Sequence, residues 1–349
     1  MKTPLYELHQ TLGAKFTEFA GWSMPLQYQG IVAEHLAVRS RVGVFDVSHM
    51  AKWHIGDKAE PILQKLVTSD LSLVQSQQAI YTLCLNEQGG IMDDLILYRA
   101  QGGWYVITNA ATYGKIKAWF SQHLGAQLQD LTHSQVLLAV QGRGAIPTVS
   151  QILDWDLSGL PRFHHLTHDQ IFIARTGYTG EDGLEIMLAP DRALRLWQQL
   201  FDLGVTPCGL GCRDTLRLEA GLHLYGQDMD DTTTPYAAGL GWTVHLDKGE
   251  FIGRTALLSQ TLPSHKLVGL RMTGRAIPRH GYPVYYEGAQ VGHITSGTFA
   301  PSLNYPIAFA YVATPLAQTG QSVAVLIRDQ LHSAIVSKRS FYKPLTNKW

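Results

Sequence analysis

Two adjacent carboxylates, Asp93 and Asp94, stand inside the apolar run YTLCLNEQGGIMDDLILY from Tyr81 to Tyr98, just after a Gly-Gly turn. Asp is a poor strand former, and a carboxylate taken out of water needs a partner, a raised pKa or a ligand. A run that is apolar on both faces reads as a strand covered on both sides, so this pair marks the chemical centre of the chain. A loop of Glu87, Gln88, Gly89 and Gly90 sets Asn86 opposite Ile91, Asp94 opposite Leu83 and Ile96 opposite Tyr81. Alternation then puts Met92, Asp94, Ile96 and Tyr98 on one face, with Tyr81 diagonal to both Asp94 and Tyr98. Asp93 faces the other way with Ile91, Leu95 and Leu97. Asp94, flanked by two tyrosines, is the expected functional acid. Asp93 is expected to cap a turn or pair with a distant base, and a different loop length would exchange the two.

A second acid sits where burial is expected: Glu185, between Leu184 and Ile186 in RTGYTGEDGLEIM. This Gly-rich turn is no phosphate cradle, because it lacks the Walker spacing and its Lys, and Glu181 and Asp182 would repel phosphate. Arg213 lies in the first turn of the helix opened by PCGLGCRDTLRLEAGLHLYGQDMDD, where the macrodipole disfavours a cation. Its partner is then an anion: Asp214 or Glu219 in a surface ion pair, or Glu185 or a ligand edge. GLG and the Cys208/Cys212 spacing complete neither a dinucleotide fingerprint nor a zinc pattern. Asp228, Asp230 and Asp231 lack the Gly and terminal Glu of a calcium loop. His164, His165 and His168 have no further ligand at a recognised spacing. Ser48 and His49 are strand neighbours whose side chains point apart, so they make no catalytic dyad. Trp242, in GLGWTV, reads as core rather than as a ligand platform.

Helical periodicity covers 31–41, 113–124, 192–203 and 212–224. Strand signals cover 79–86, 91–98, 104–109, 136–141, 171–175 and 184–188, and helices scattered among hairpins read as α+β. From about Lys266 short strands divided by Gly, Pro and Asn predict a separate all-β barrel or sandwich, after a linker TLPSHK. The 349 residues allow two or three domains. Lys plus Arg equals Asp plus Glu at 28 each, with 16% charged residues, so no long-range field draws the chain to nucleic acid or an anionic membrane. Three cysteines, Cys84, Cys208 and Cys212, suggest reduced thiols. The N-terminus lacks a signal peptide's pattern, and no stretch approaches the roughly 20 apolar residues of a membrane span. The expected location is cytoplasmic, or the mitochondrial matrix for a processed eukaryotic form.

Together FAGWSMP, VFDVSHM, GGIMDDLILY, the TNAAT at Asn109, RTGYTGEDGLEIM, GLGCRDTLRLEAGLHLYGQDMD, AGLGWTV and ITSGTFAPSL resemble the glycine cleavage system T-protein family of aminomethyltransferases over nearly the whole chain. QGRGAIPTVSQIL and FHH, between Gln141 and His165, and TGRAIPRHGYPV depart from the family pattern. The resemblance implies a multidomain α+β fold, with antiparallel sheets and flanking helices around a central folate pocket and a C-terminal all-β barrel. It implies a discontinuous folate-binding unit over 1–49 and 134–262, an inserted unit over 50–133 carrying Asp94, and a barrel over 263–349. The implied reaction of glycine catabolism moves an aminomethyl carbon from the lipoyl arm of H-protein to the co-substrate tetrahydrofolate, giving methylenetetrahydrofolate and ammonia without metal or nucleotide. Carried over by motif, Asp94 is the essential carboxylate near folate N5 and N10, and Glu185 accepts the pterin's parallel donors. Tyr81, Tyr98 and Tyr178 line the pocket, Asn109 and Arg213 add polar contacts, and Met50 and Trp242 supply apolar walls. Two rival implications are a non-catalytic folate-binding relative of the iron-sulfur assembly type, whose KGCYxGQE-like motif is replaced here by LHLYGQDMD, and the folate module of a demethylating dehydrogenase, whose dinucleotide domain has no match in this chain.

Overall fold

The computed structural model describes residues 1–260 and 262–344. Thr261 of the expected linker and positions 345–349 of the expected C-terminal unit lie outside them.

Two sheets face each other across the middle of the molecule. One has six strands in the order His165–His168, Ile171–Ala174, Gly183–Leu188, Val136–Gln141, Gly43–Asp46 and Thr206–Pro207, and only its last pair runs parallel. The other has five, in the order Ala79–Leu85, Ile91–Ala100, Gly103–Thr108, Ala51–Gly56 and Leu128–Asp130. Strands of this kind are apolar on both faces because both are covered. On the six-stranded sheet, Val44, Leu138, Val140, Leu184 and Ile186 pack outward against the helices Ala145–Leu153 and Pro190–Asp202, while Phe45, Leu137, Ala139 and Ala174 face the five-stranded sheet. The outer face of the five-stranded sheet buries Trp53, Leu95, Leu97 and Trp104 beneath Glu60–Leu66 and Tyr113–Leu124. Between the sheets, Ala79 and Tyr98 meet Leu137, Ala139 and Ala174, with Cys212 and Leu216 of the helix Leu210–Ala220. The third part is a barrel of six strands closed by the pairing of His265–Met272 with Gln330–Ser337, which decides between the barrel and the sandwich.

The hairpin register holds at Tyr81 opposite Ile96 and Leu83 opposite Asp94, but at its tip Leu85 rather than Asn86 faces Ile91. A bulge causes this. It exchanges the faces of two residues: Met92 joins the outer core with Leu95 and Leu97, and Ile91 packs inward with Leu83 and Leu85. Its cause lies elsewhere in the chain, because Ile91 N donates to Thr233 O at 2.9 Å instead of continuing the ladder. Gly90 makes that approach feasible, since a Cβ there would come within 1.8 Å of Asp231 O. The expected helix over 212–224 runs from Leu210 to Ala220 instead, stopping where Gly221 takes φ +90° against the backbone of Ser340.

Candidate active site

Past the bulge, the strand Ile91–Ala100 turns Asp94 into the space between the two sheets. Asp94 is half-buried there, whereas its neighbour Asp93 is fully buried. Tyr81 Oη donates to its Oδ2 at 3.0 Å and Asn109 Nδ2 to its Oδ1 at 2.7 Å. The same amide donates to Asp93 Oδ1 at 2.7 Å, so one asparagine bridges two acids that leave the strand on opposite faces. Asp93 is fully buried and also accepts from Asn109 N at 3.3 Å and Thr112 Oγ1 at 2.6 Å. It thus receives the start of a helical turn, as its capping role predicts, rather than a distant base. Burial, then repulsion from Asp94, pushes Asp93 up to about 8. Burial also raises Asp94, with the bonds from Tyr81 and Asn109 pulling against it. Among the described residues no cation pairs with either acid.

Tyr98 does not flank Asp94 as expected. Its side chain spans the gap to the facing sheet, where its hydroxyl meets Thr176 Oγ1 at 3.1 Å and donates to Glu185 Oε2 at 3.5 Å. Glu185 lies on Gly183–Leu188 with Ala139 and Ala174 as its cross-strand neighbours, small residues that leave space above the carboxylate. Thr176 Oγ1 donates to it at 2.6 Å, and it too lacks a paired cation among the described residues.

The guanidinium of Arg213 lies over the ring of Tyr178, with Cζ 4.6 Å from the centroid, and the Tyr178 hydroxyl donates to His223 O. A surface ion pair is overturned: Asp214 pairs with Arg217 at 2.8 Å, and Glu219 with Arg39 at 3.0 Å and His35 at 3.1 Å. Arg213 Nη1 is buried with no hydrogen-bond partner. Burial lowers the pKa of Arg213 against the opposing charge of Glu185, which is near enough to act on it without bonding to it. Trp242 is not core either, being 66% exposed, with its ring stacked 5.8 Å from that of Tyr81. Lys248 holds this segment to the loop after the helix Glu60–Leu66 by donating to Val67 O at 2.5 Å and Ser69 O at 2.8 Å. Met50 is half-buried against the same cluster as Tyr98.

Of the nine expected site residues, contacts join Trp242, Tyr81, Asp94 and Asn109 in one group, Tyr98 with Glu185 in a second and Arg213 with Tyr178 in a third, and Met50 packs on the same core as Tyr98. Sequence reasoning missed Thr176, which fixes Glu185, and Thr112, which fixes Asp93; a lone Thr in a turn carries no signal of its partner. Glu34, Cys208 and Cys212 bring ligand atoms within 4.8 Å of one another. Glu34, however, already accepts from Tyr28 N at 2.6 Å, Gly30 N at 3.1 Å and Gly209 N at 2.9 Å, and burial raises the Cys208 thiol, so the trio clasps loops together.

Two acids on facing sheets that pair with no cation among the described residues, and an arginine over Tyr178 with its Nη1 unbonded, mark the candidate site. Residues 5–248 match the GCVT N-terminal domain, and residues 265–343 the glycine cleavage T-protein C-terminal barrel domain. The chain is 50% identical over 360 residues to an aminomethyltransferase of Nostoc sp., covering 98% of this chain and 96% of that protein. It is 49% identical over 351 residues to one from Thermosynechococcus vestitus, covering 98% and 95%. The crystal structure of glycine cleavage system aminomethyltransferase T from Bartonella henselae superposes with a TM-score of 0.93 at 37% identity, covering 99% of this chain and 98% of that one. The chain belongs to the glycine cleavage T-protein family. It is an enzyme of that system, an aminomethyltransferase. No helix among the described residues is long and apolar enough to cross a membrane.

Proposed function

We propose that the site takes tetrahydrofolate and transfers to it the aminomethyl carbon carried on the lipoyl sulfur of H-protein, yielding 5,10-methylenetetrahydrofolate, ammonia and the dihydrolipoyl arm. The observation that carries this reading is the pair of acids that meet no cation among the described residues, Asp94 and Glu185, placed on facing sheets, with Arg213 Nη1 unbonded and its charge within reach of Glu185. Glu185 suits the pterin's 2-amino and N3–H groups, two parallel donors that one carboxylate accepts together. Its hydrogen bonds from Thr176 and Tyr98 both reach Oε2, leaving Oε1 with no protein donor among the described residues. Asp94 stands where a folate nitrogen would attack, oriented by Tyr81 and Asn109, and serves to position that nitrogen and to stabilise positive charge on the carbon as sulfur leaves. Its raised pKa equips it to pass a proton. Tyr178 and Met50 line the hollow and Trp242 covers its mouth, keeping water from the transferring carbon.

The same reading divides the chain into a folate-binding unit over 1–49 and 134–262, an insert over 50–133 that brings Asp94, and the barrel from 263, and puts the enzyme in the cytoplasm. The test is direct: purified protein given aminomethyl-loaded H-protein and tetrahydrofolate releases methylenetetrahydrofolate. Absence of that product with active H-protein would sink the proposal.

A further inference from the structure

The barrel's last strand, Gln330–Ser337, hands the chain to a short segment that crosses back onto the rest of the molecule. Phe341 N and Tyr342 N both donate to Glu219 O, at 3.0 and 2.9 Å, and so close the end of the helix Leu210–Ala220 that carries Arg213. The Arg39 guanidinium lies over the Tyr342 ring, with Cζ 3.9 Å from the centroid, and the Phe341 ring stacks 6.1 Å from that of Phe309. Between the strand and these anchors, Arg339 reaches the turn that leads to Trp242. Its Nη1 donates to Ala238 O at 2.7 Å and its Nη2 to Gly239 O at 3.1 Å. Gly239, at φ +68°, makes that approach possible, since a Cβ there would stand 2.8 Å from Nη2.

The other N–H of Nη1 meets His223 Nε2. A guanidinium only donates, so this ring nitrogen accepts, and His223 is neutral with its proton on Nδ1. Burial, then the charge of Arg339, brings the pKa of His223 down to about 4, in line with that geometry. His223 O accepts in turn from the hydroxyl of Tyr178, the ring on which Arg213 lies. In the other direction the chain runs from Gly239 into the single helical turn Gly241–Thr243. Thr243 O accepts from Ser69 Oγ at 3.1 Å, and Trp242 stacks on Tyr81, the donor to Asp94. Arg339 thus stands behind two groups of site residues at once. One contact, through His223, leads to Tyr178 and Arg213; one turn of chain leads to Trp242, Tyr81 and Asp94.

We infer that Arg339 is a positioning residue for the transfer reaction: from the barrel side it fixes the turn that holds Trp242 against Tyr81, and so steadies the cover of the folate site without touching folate. Its effect on the ligand rests on the folate reading above, while its hold on Trp242 rests on the contacts alone. The test compares full-length wild type, Arg339→Met and Arg339→Lys, each labelled with 5-fluorotryptophan and with the Trp242 signal assigned through Trp242→Phe. It also measures KM for tetrahydrofolate and kcat with aminomethyl-loaded H-protein. In Arg339→Met the Trp242 fluorine signal should shift or broaden in the ligand-free protein, and KM should rise about tenfold. The kcat should stay within about threefold, because Asp94 keeps Tyr81 and Asn109. Arg339→Lys keeps the charge but not the planar fork, so its KM should rise only about threefold. A wild-type KM in Arg339→Met overturns the inference, and so does a raised KM with the Trp242 signal unmoved. Should the methionine variant fail to fold, the lysine variant decides on the same two readouts. A wild type without tetrahydrofolate turnover brings down the folate reading, and the ligand-free fluorine signal then decides by itself whether Arg339 holds the Trp242 turn.

Discussion

The molecule buries two kinds of charged group, and they are treated differently. At the base of the barrel, Asp228 is fully buried and accepts from Arg217 at 2.6 Å, from Thr295 at 2.5 Å and from Ser296 at 2.7 Å. Burial works to raise its pKa, but the charge of Arg217 and these bonds bring it below the ordinary carboxylate range. Glu219 is held down in the same way by His35 and Arg39, again against burial. On the strand Ile91–Ala100, Asp93 and Asp94 have hydrogen bonds but, among the described residues, no cation, and both are raised. The arginines divide likewise: one turn apart on one helix, Arg217 is raised by its carboxylates against burial, while Arg213 is lowered by burial with an amino group left over. Where charges have one another the fold is complete. Where Asp94, Glu185 and Arg213 each lack a bonded opposite among the described residues, the proposed function supplies a ligand as the missing partner.

The largest effect should come from breaking a complete pair. Arg217→Met leaves Asp228 buried and uncompensated, and should cost about 3–5 kcal/mol in urea unfolding. Arg213→Met abandons no bonded carboxylate, so its cost should stay below about 1 kcal/mol while folate affinity falls. Equal destabilisation by the two would erase the distinction.

Asp94→Asn comes next. If Asp94 stabilises the transferring carbon as proposed, losing its carboxylate should slow turnover by about 10²–10³. Folate affinity should stay within a few-fold of wild type, and stability should hold or rise, because an acid without a cation is removed. Turnover measured with aminomethyl-loaded H-protein that matched wild type would take Asp94 out of the chemistry.

How far this division was legible in the sequence differs from residue to residue. Acids inside apolar runs betrayed Asp94 and Glu185, because strand alternation is local and sets the register from Tyr81 to Asp94. The bulge at the hairpin tip was not legible, since it depends on Thr233 arriving from far along the chain. Nor was the reach of Tyr98 to Glu185, which requires the second sheet to be in place. Trp242 misled because an exposed tryptophan stacked on a pocket tyrosine has the same sequence signature as a buried one. Short helices such as Tyr6–Thr11, Glu60–Leu66 and Arg254–Ser259 hold too few turns for periodicity to register. Arg213 was noticed for its place near a helix start, but only the structure shows that Asp214 and Glu219 are already taken.

Glu185→Gln should be gentler than either. The amide presents a donor where the ligand also donates, so folate affinity should fall about tenfold or more. Turnover at saturating folate should be largely kept, because in the proposed reading Glu185 holds the ligand away from the reacting carbon. A loss confined to turnover would exchange the roles of the two acids.

A further difference separates the two kinds of acid by pH. Asp46, which burial would raise, is brought to about 2 by its bonds with His9, Ser48 and Thr3, so its contribution is present above the unfolded value near 3.8 and fades as pH falls toward 2. Asp93, raised from 3.8 to about 8, has the opposite sign. The folded state holds its proton more tightly, so its contribution is complete below the unfolded value and is lost as pH rises through about 8. The slope is at most about 1.4 kcal/mol per pH unit for one proton. His49 and Lys52 titrate over parts of the same range, brought by burial to about 3 and about 7, but they are common to wild type and to Asp93→Asn. The difference in urea stability between those two proteins, followed from pH 5 to 8, therefore isolates Asp93. It should shift against the wild type as pH rises, and a difference independent of pH would mean that Asp93 stays ionised in the fold.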